Sequence, residues 1–222
     1  MRDILPDFVR EVIRERYITG VSDAEATFRL NSEDEDSLTG ALGQALATPK
    51  PIVVWDNEQV FVIQIQHHKV RGKGPGAPEK ILGTDGIFEL EVFDGDGHSI
   101  RKKGLPFQSK KNWKSSNKKV AAQASDMIQE FGTGLVIDYT AKRYSACDAN
   151  AVVETGGLKS PLDQNGKLKS LGQLLGQEFL DCEIGKVDLV FDEDQGRPIL
   201  TRRPLIPRHV IKTVVKEFTA AR

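Results

Sequence analysis

Gly83-Thr84-Asp85-Gly86-Ile87-Phe88-Glu89-Leu90-Glu91-Val92 and, further along, Gly104-Leu105-Pro106-Phe107-Gln108-Ser109-Lys110-Lys111 decide how this chain reads. Both stretches have the character of β-strands. Between them lies Asp94-Gly95-Asp96-Gly97, an Asp-Gly turn. The spacing predicts a strand over 81–93 and a second over 105–111, paired antiparallel. Alternate strand residues share a face, so Asp85, Ile87, Glu89 and Glu91 point one way and Gly86, Phe88, Leu90 and Val92 the other. A central strand is ordinarily apolar on both faces, yet one face here carries three carboxylates. On the second strand Gln108 and Lys110 share a face. If the paired faces coincide, Asp85 and, further along, Glu89 come within reach of them.

The same reading extends outward. Phe8, Val9, Val12, Ile13 and Tyr17 recur at helical spacing over 5–17. A second helix is predicted over 32–47, with Leu38, Ala41, Leu42, Ala45 and Leu46 in one stripe and Pro49 and Pro51 beyond its end. On that wheel Glu35 falls within the stripe together with Asp34, while Glu33 and Asp36 point away. An acid directed at a core needs a partner or a metal. Strands over 52–55 and 60–65 flank Asp56-Asn57-Glu58, a hairpin turn. The glycine-proline stretch 71–78 lacks the spacing of a phosphate-binding P-loop and reads as a substrate-touching flap or a plain connection. A helix over Lys118–Phe131 carries Val120, Ala124, Met127, Ile128 and Phe131 on one face and Gln123 at its margin, and Gly132 and Gly134 end it. Leu135–Tyr139 then reads as a buried strand.

These elements predict an α/β chain with a mixed central sheet flanked by helices. Residues 1–148 form the core with its N-terminal helices, and 149–222 form a smaller extension that packs on the core or binds a partner. Within the extension the pattern predicts a polar linker over 149–169 and a helix over 171–179. Strands over 187–191 and 198–201 would pair across Glu193-Asp194-Gln195-Gly196, and an amphipathic helix would run over 207–218.

Composition narrows the function less than position does. The 222 residues carry a formal net charge of -1, so nothing global announces nucleic acid. Between Arg101 and Lys119, however, eight basic residues occur without an acid, interleaved with Phe107 and Trp113. Such a run follows a phosphate backbone or forms a solvated face. Lys111 and Lys114 within it, and Lys73 in the preceding loop, are the candidate phosphate contacts. Cys147 and Cys182 form no CxxC and indicate neither a disulfide framework nor zinc. His67-His68 has no spaced ligand after it and reads as an exposed pair. No Gly-x-Ser-x-Gly elbow is present. The absence of a signal-peptide pattern or membrane-length apolar run makes a soluble cytoplasmic protein the expectation, with no membrane partner.

An acid beside a polar-x-lysine suits phosphodiester chemistry. Magnesium prefers oxygen ligands, a bound metal activates water, and a fixed cation orients that water or stabilises the transition state. Asp85 at a strand start, Gln108-x-Lys110 on the next strand, helix-borne Glu35 before them and a glutamine-bearing helix after them resemble the PD-(D/E)xK nuclease superfamily, over residues 32–139. The resemblance implies a restriction-endonuclease-like fold binding Mg2+ or Mn2+ through Asp85 and Gln108. It gives Lys110 the task of orienting water and makes Glu35 a further acid and Gln123 a support. DNA is the implied substrate, and a restriction or anti-phage defence system, with another protein of such a complex or a second copy as partner, is the implied setting. Two positions depart from the family: Gly83-Thr84 stands where a proline precedes the aspartate, and Gln108 replaces the commoner acid. Glu89 or Glu91 is then the candidate to restore the missing charge. The alternative is a catalytically silent nuclease-like domain that binds nucleic acid or a partner protein.

Overall fold

The structure is a computed structural model that describes residues 1, 3–56, 59–70, 84–114, 116–192, 197–198 and 207–219. The 71–78 loop with Lys73, residue Gly83, the tip of the 57–58 turn, the 193–196 connection and residues 199–201 lie outside the described residues. Helix α1 (Asp7–Ala26) buries Val9, Ile13, Tyr17, Val21 and Ala24, a stripe at helical period. After a short α2 (Phe28–Asn31), α3 (Glu35–Leu46) begins at Asp34, whose carboxylate accepts the Ser37 N–H at 2.7 Å as an N-cap. Leu38, Leu42 and Leu46 of α3 are wholly buried, and truncating any one to alanine would cost roughly 2–5 kcal/mol. Gly20 lets α1 and α3 cross closely, since a Cβ there would lie 2.9 Å from a Leu46 methyl.

Strands β1 (Ile52–Asp56) and β2 (Gln59–Lys69) form the expected hairpin. Strands β3 (Gly86–Phe93) and β4 (Ser99–Lys111) form the second, with Gly86 opposite Phe107. Helix α4 (Lys118–Phe131) is capped by Asn117 and ends at Gly132, whose φ of 75° is left-handed. It crosses over to β5 (Leu135–Tyr139), which lies parallel to β4. Strand β6 (Tyr144–Asp148) returns antiparallel.

Beyond residue 148 the predicted pattern changes. The expected linker contains α5 (Ala149–Glu154) and α6 (Lys159–Gln164), followed by a two-residue β7 (Lys169–Ser170). Helix α7 (Leu171–Leu174) passes into a π-helical turn over Leu175–Phe179. Strand β8 (Lys186–Val187) pairs with β4, while β9 (Phe191–Asp192) and β10 (Arg197–Pro198) pair with each other. The predicted helix over 207–218 is instead β11 (His209–Thr219), antiparallel to β2 and parallel to β3.

The sheet order is β1-β2-β11-β3-β4-β5-β6-β7, with β8 beside β4. The main sheet therefore draws one of its inner strands from the segment expected to be an extension. One face packs against α1, α3, α7 and the π-helical turn. Phe88, Leu90, Leu105, Phe107, Ile137, Ile211 and Val215 supply the sheet side of that core. The other face packs Ile87, Val136, Cys147 and Val210 against Val120, Ala124 and Met127 of α4. Tyr17 on α1 and Thr213 on β11 share a buried hydrogen bond of 2.7 Å, fixing the inserted strand to the first helix. No helix among the described residues is long and apolar enough to cross a membrane.

Candidate functional site

Asp85 sits one residue ahead of β3. Its N–H donates to the Phe107 carbonyl at 2.8 Å, which continues the β3–β4 ladder and sets Asp85 beside Gln108. Thr84 occupies the position where the nuclease family carries proline, and its hydroxyl lies 2.9 Å from the Gly86 carbonyl and 3.0 Å from that of Phe107. The strand entry is thus fixed by hydrogen bonds rather than by a ring. Three donors converge on Asp85 Oδ2: Gln108 Nε2 at 2.6 Å, the Ser109 N–H at 2.7 Å and the Ser109 hydroxyl at 2.6 Å. Gln108 is fully buried, and its Nε2 also donates to the Ser109 carbonyl at 3.1 Å. Its Oε1 is buried with no partner among the described residues. Leaving a buried acceptor unmade costs about 1–3 kcal/mol, so this oxygen calls for a ligand.

The far end of β4 is joined to the start of α3. Lys110 is nearly buried and its Nζ lies 3.5 Å from Glu35 Oε2, while Glu35 Oε1 accepts the Lys111 N–H at 3.2 Å. Lys111 Nζ donates to the carbonyls of Ser32 and Glu33 at 2.8 and 3.0 Å. Glu35 thus turns toward β4 while its side chain stays 40% exposed, and Asp34, expected in the same inward stripe, is exposed. Beneath it the Thr39 hydroxyl lies within hydrogen-bond reach of Ser109 Oγ (3.3 Å) and of the Tyr139 hydroxyl (3.2 Å). Burial, with Asp85 and Glu35 adding to it against the Thr39 bond, pushes the Tyr139 phenol far above its ordinary pKa and keeps it neutral.

A recess of about 180 Å³ opens here, lined by Asp34, Glu35, Asp36, Asp85, Arg208 and His209 among others. Three of these, Asp36, Arg208 and His209, are missed or misplaced by the sequence reading. Asp36 does not point away from the sheet: its Oδ1 lies 3.0 Å from His209 Nε2 and its Oδ2 2.6 Å from Lys69 Nζ. His67 is half-buried rather than one of an exposed pair, although His68 is exposed. The His67 and His209 rings stack with centroids 5.3 Å apart, and His67 Nε2 lies 3.0 Å from His209 Nδ1. Gln44 Nε2 reaches His67 Nδ1 at 3.2 Å. Assigning tautomers from these partners gives one consistent direction. Gln44 donates to His67, His67 to His209, and His209 to Asp36.

Electrostatics agree with that assignment. Burial lowers the His67 pKa to about 4, helped by His209, His68 and Lys69. Burial also holds His209 below its ordinary value, despite the opposing pull of Asp36. For Asp36 burial acts upward, but hydrogen bonds from Lys69 and His209 outweigh it and the pKa is lowered. Neutral imidazoles therefore end on an ionised carboxylate at the wall of the recess. Gly43 makes room for this, because a Cβ there would lie 2.4 Å from the His67 ring. The His209 N–H also donates to the Asp85 carbonyl at 3.2 Å, so β11 carries the histidine to the backbone of the predicted aspartate.

The other predicted residues are placed elsewhere. Glu89 lies further along β3, opposite Gly104, and its carboxylate accepts the Phe191 N–H. Glu91 pairs with Lys102 at 3.1 Å and Lys212 at 2.9 Å. Gln123 is half-buried on α4, and its Oε1 has no partner among the described residues. Lys111 is committed to backbone carbonyls, whereas Lys114 is exposed. Phe107 and Trp113 are buried and offer no surface for bases, and Lys103 is buried against Phe179. The basic run is therefore not one continuous cationic face: Lys103 and Lys110 are buried, while Lys114, Lys118 and Lys119 are exposed. Asp94, Asp96 and His98 could hold a metal ion. They are turn residues, and Asp94 Oδ1 already accepts the Asp96 and His98 N–H groups at 3.0 and 2.8 Å.

No protein-family model, curated protein or solved structure matches this chain.

Proposed function

We propose that the chain is a Mg2+- or Mn2+-dependent endonuclease that hydrolyses DNA phosphodiester bonds on a restriction-endonuclease-like core. One observation carries the reading: the buried, unpartnered Oε1 of Gln108, on a residue that also bonds Asp85. The donor set fits a hard cation, since a carboxylate, an amide oxygen and Glu35 are oxygen ligands. A bound divalent ion would supply Lewis acidity, lowering the pKa of water and neutralising charge on the phosphoryl oxygens.

The chain's own residues then have distinct tasks. The Gln108 and Ser109 donors hold the Asp85 carboxylate in one rotamer. Glu35 holds the Lys110 ammonium, and Lys110 orients the attacking water and meets the developing negative charge. Lys114 is an exposed cation suited to a phosphate outside the recess. Glu89, engaged by the 191 N–H, does not supply the missing acid in this reading. A nuclease of this kind requires restraint in its own cell, which favours a cytoplasmic effector within a restriction or anti-phage complex. Protein donors crowding Asp85 Oδ2 favour the second reading, a silent nucleic-acid-binding domain.

Incubation with supercoiled plasmid and Mn2+ or Mg2+, beside Asp85→Ala and Lys110→Ala, separates the two. Cleavage by the wild type that both variants lose is expected. Cleavage unchanged in both variants overturns the site. DNA binding that weakens with salt, without cleavage under either metal, selects the silent domain.

A further inference from the structure

The two ends of the sheet are finished differently. At one end β7 has only two residues, one of them Lys169. At the other, β1 presents five extended residues with a continuous register to β2 and no strand on its outer edge among the described residues. Edge strands are normally blunted by a lysine, a proline, a bulge or shortness. Ile52-Val53-Val54-Trp55-Asp56 carries none of the first three within it. Val53 and Trp55 point to the face away from α1 and α3, and they are 50% and 72% exposed. In register, Trp55 lies beside Val60 and then Phe218 of β11, itself 47% exposed, so the apolar surface continues inward from the edge.

We propose that this edge pairs with the β1 strand of a second copy of the same chain, antiparallel and centred on Val54. The sequence of the strand fits its own reverse. In this register Val53 faces Trp55 of the other copy, twice by symmetry, and aromatic–β-branched pairs are favourable across antiparallel strands. Ile52 faces the second copy's Asp56. Lys50, exposed and two residues ahead of the strand, then becomes the diagonal neighbour of that Asp56. Diagonal neighbours lie about 7–8 Å apart, within reach of a lysine. Opposite charges at the two ends of an otherwise uncharged strand favour the antiparallel over the parallel arrangement. Five paired residues bury less than the roughly 1,200–2,000 Å² of a standard stable interface. The dimer is therefore concentration-dependent. It joins two nine-stranded sheets edge to edge, with both apolar patches on one side.

Sedimentation equilibrium of the full chain across micromolar to millimolar concentrations tests this. The weight-average mass should rise from 24.6 kDa toward twice that value. Val53→Lys and Trp55→Lys are at exposed positions and should each hold the mass at the monomer value with an unchanged circular dichroism spectrum. Lys50→Asp and Asp56→Lys should each weaken association, and the double exchange should restore it. A wild-type mass that stays at the monomer value throughout overturns the proposal. So does a dimer that both lysine variants leave intact, or a charge exchange that fails to rescue.

Discussion

The β3–β4 hairpin carries two acid–lysine groups, one at each end, and they are built to opposite purposes. At the turn-proximal end Glu91 is 6% exposed and bonded by two lysines, while Lys103 is buried with its ammonium on the Phe179 and Ile184 carbonyls and over the Phe179 ring. At the Asp85 end, Lys110 has one acid at 3.5 Å, Gln108 keeps an unpartnered oxygen, and a recess opens beside them. One group is a closed set of satisfied charges, and the other has capacity left over. Buried charges are tolerated when every partner is present. Spare ligand capacity is what distinguishes a site from a structural ion pair.

The largest effect should separate the two ends by rate. Asp85→Asn or Lys110→Ala should lower plasmid nicking by about 10²–10³-fold, the usual loss for one electrostatic stabiliser, while Glu91→Gln leaves the rate unchanged. Equal losses at both ends would dissolve the contrast. Stability should show the reverse ranking. Glu91→Gln strands two lysines and should cost ~1–3 kcal/mol in urea unfolding, below the figure for a fully buried pair because both lysines reach solvent. Burial raises the Glu91 pKa, but Lys212 and Lys102 outweigh it and the net pKa is lowered. Its contribution is therefore present above the ordinary carboxylate value and is lost as pH falls through the lowered one. In Glu91→Gln that acid-side loss should shrink.

Crowding the histidines probes the recess wall. Gly43→Ala places a methyl against the His67 ring and should cost ~1–3 kcal/mol. It should also shift the His67 imidazole resonances, which Glu91→Gln should not do. A smaller effect appears with acid. His67 and His209 are held neutral in the fold, so the unfolded chain takes up protons first as pH falls below about 6.5. The melting temperature should fall between that pH and about 4, and His67→Gln should flatten the slope. A flat profile in the wild type would deny that the imidazoles are held neutral. Lys114→Ala should give the smallest change, reducing the log–log salt slope of DNA binding by about one.

Much of this contrast is legible in the chain. Helix α4 and β5 fall on their predicted bounds because Asn117 and Gly132 punctuate one and glycine isolates the other. The Asp-Gly turn predicts the β3–β4 hairpin, but setting Asp85 beside Gln108 also takes a β-bulge between Val92 and Phe93, which shifts the pairing by one residue and carries no local sequence signal. The 207–218 segment misleads for a physical reason. Val210, Ile211, Val214, Val215 and Phe218 satisfy a helical period, but a strand buried on both faces does not alternate either. Its density of Val, Ile and Thr and the lack of an N-cap residue were the signals for a strand. Asp36 was misassigned because the helical wheel weighed only apolar side chains. Gly40 and Gly43 share its face and form the groove that receives His209 and His67. His209 comes from the far end of the chain, and no local spacing could have joined it to Asp36.

The insertion of β11 between β2 and β3 also sets a clock on biosynthesis. The strand is translated well over a hundred residues after β3. At ~5–20 residues per second the two hairpins wait on the order of ten seconds for the strand that joins them. Until then the β2 and β3 edges face no partner, and the recess lacks its Arg208 and His209 wall. A nascent chain still on the ribosome therefore holds Asp85 and Lys110 in an unfinished sheet, and any activity that depends on that wall begins only once the strand has been made.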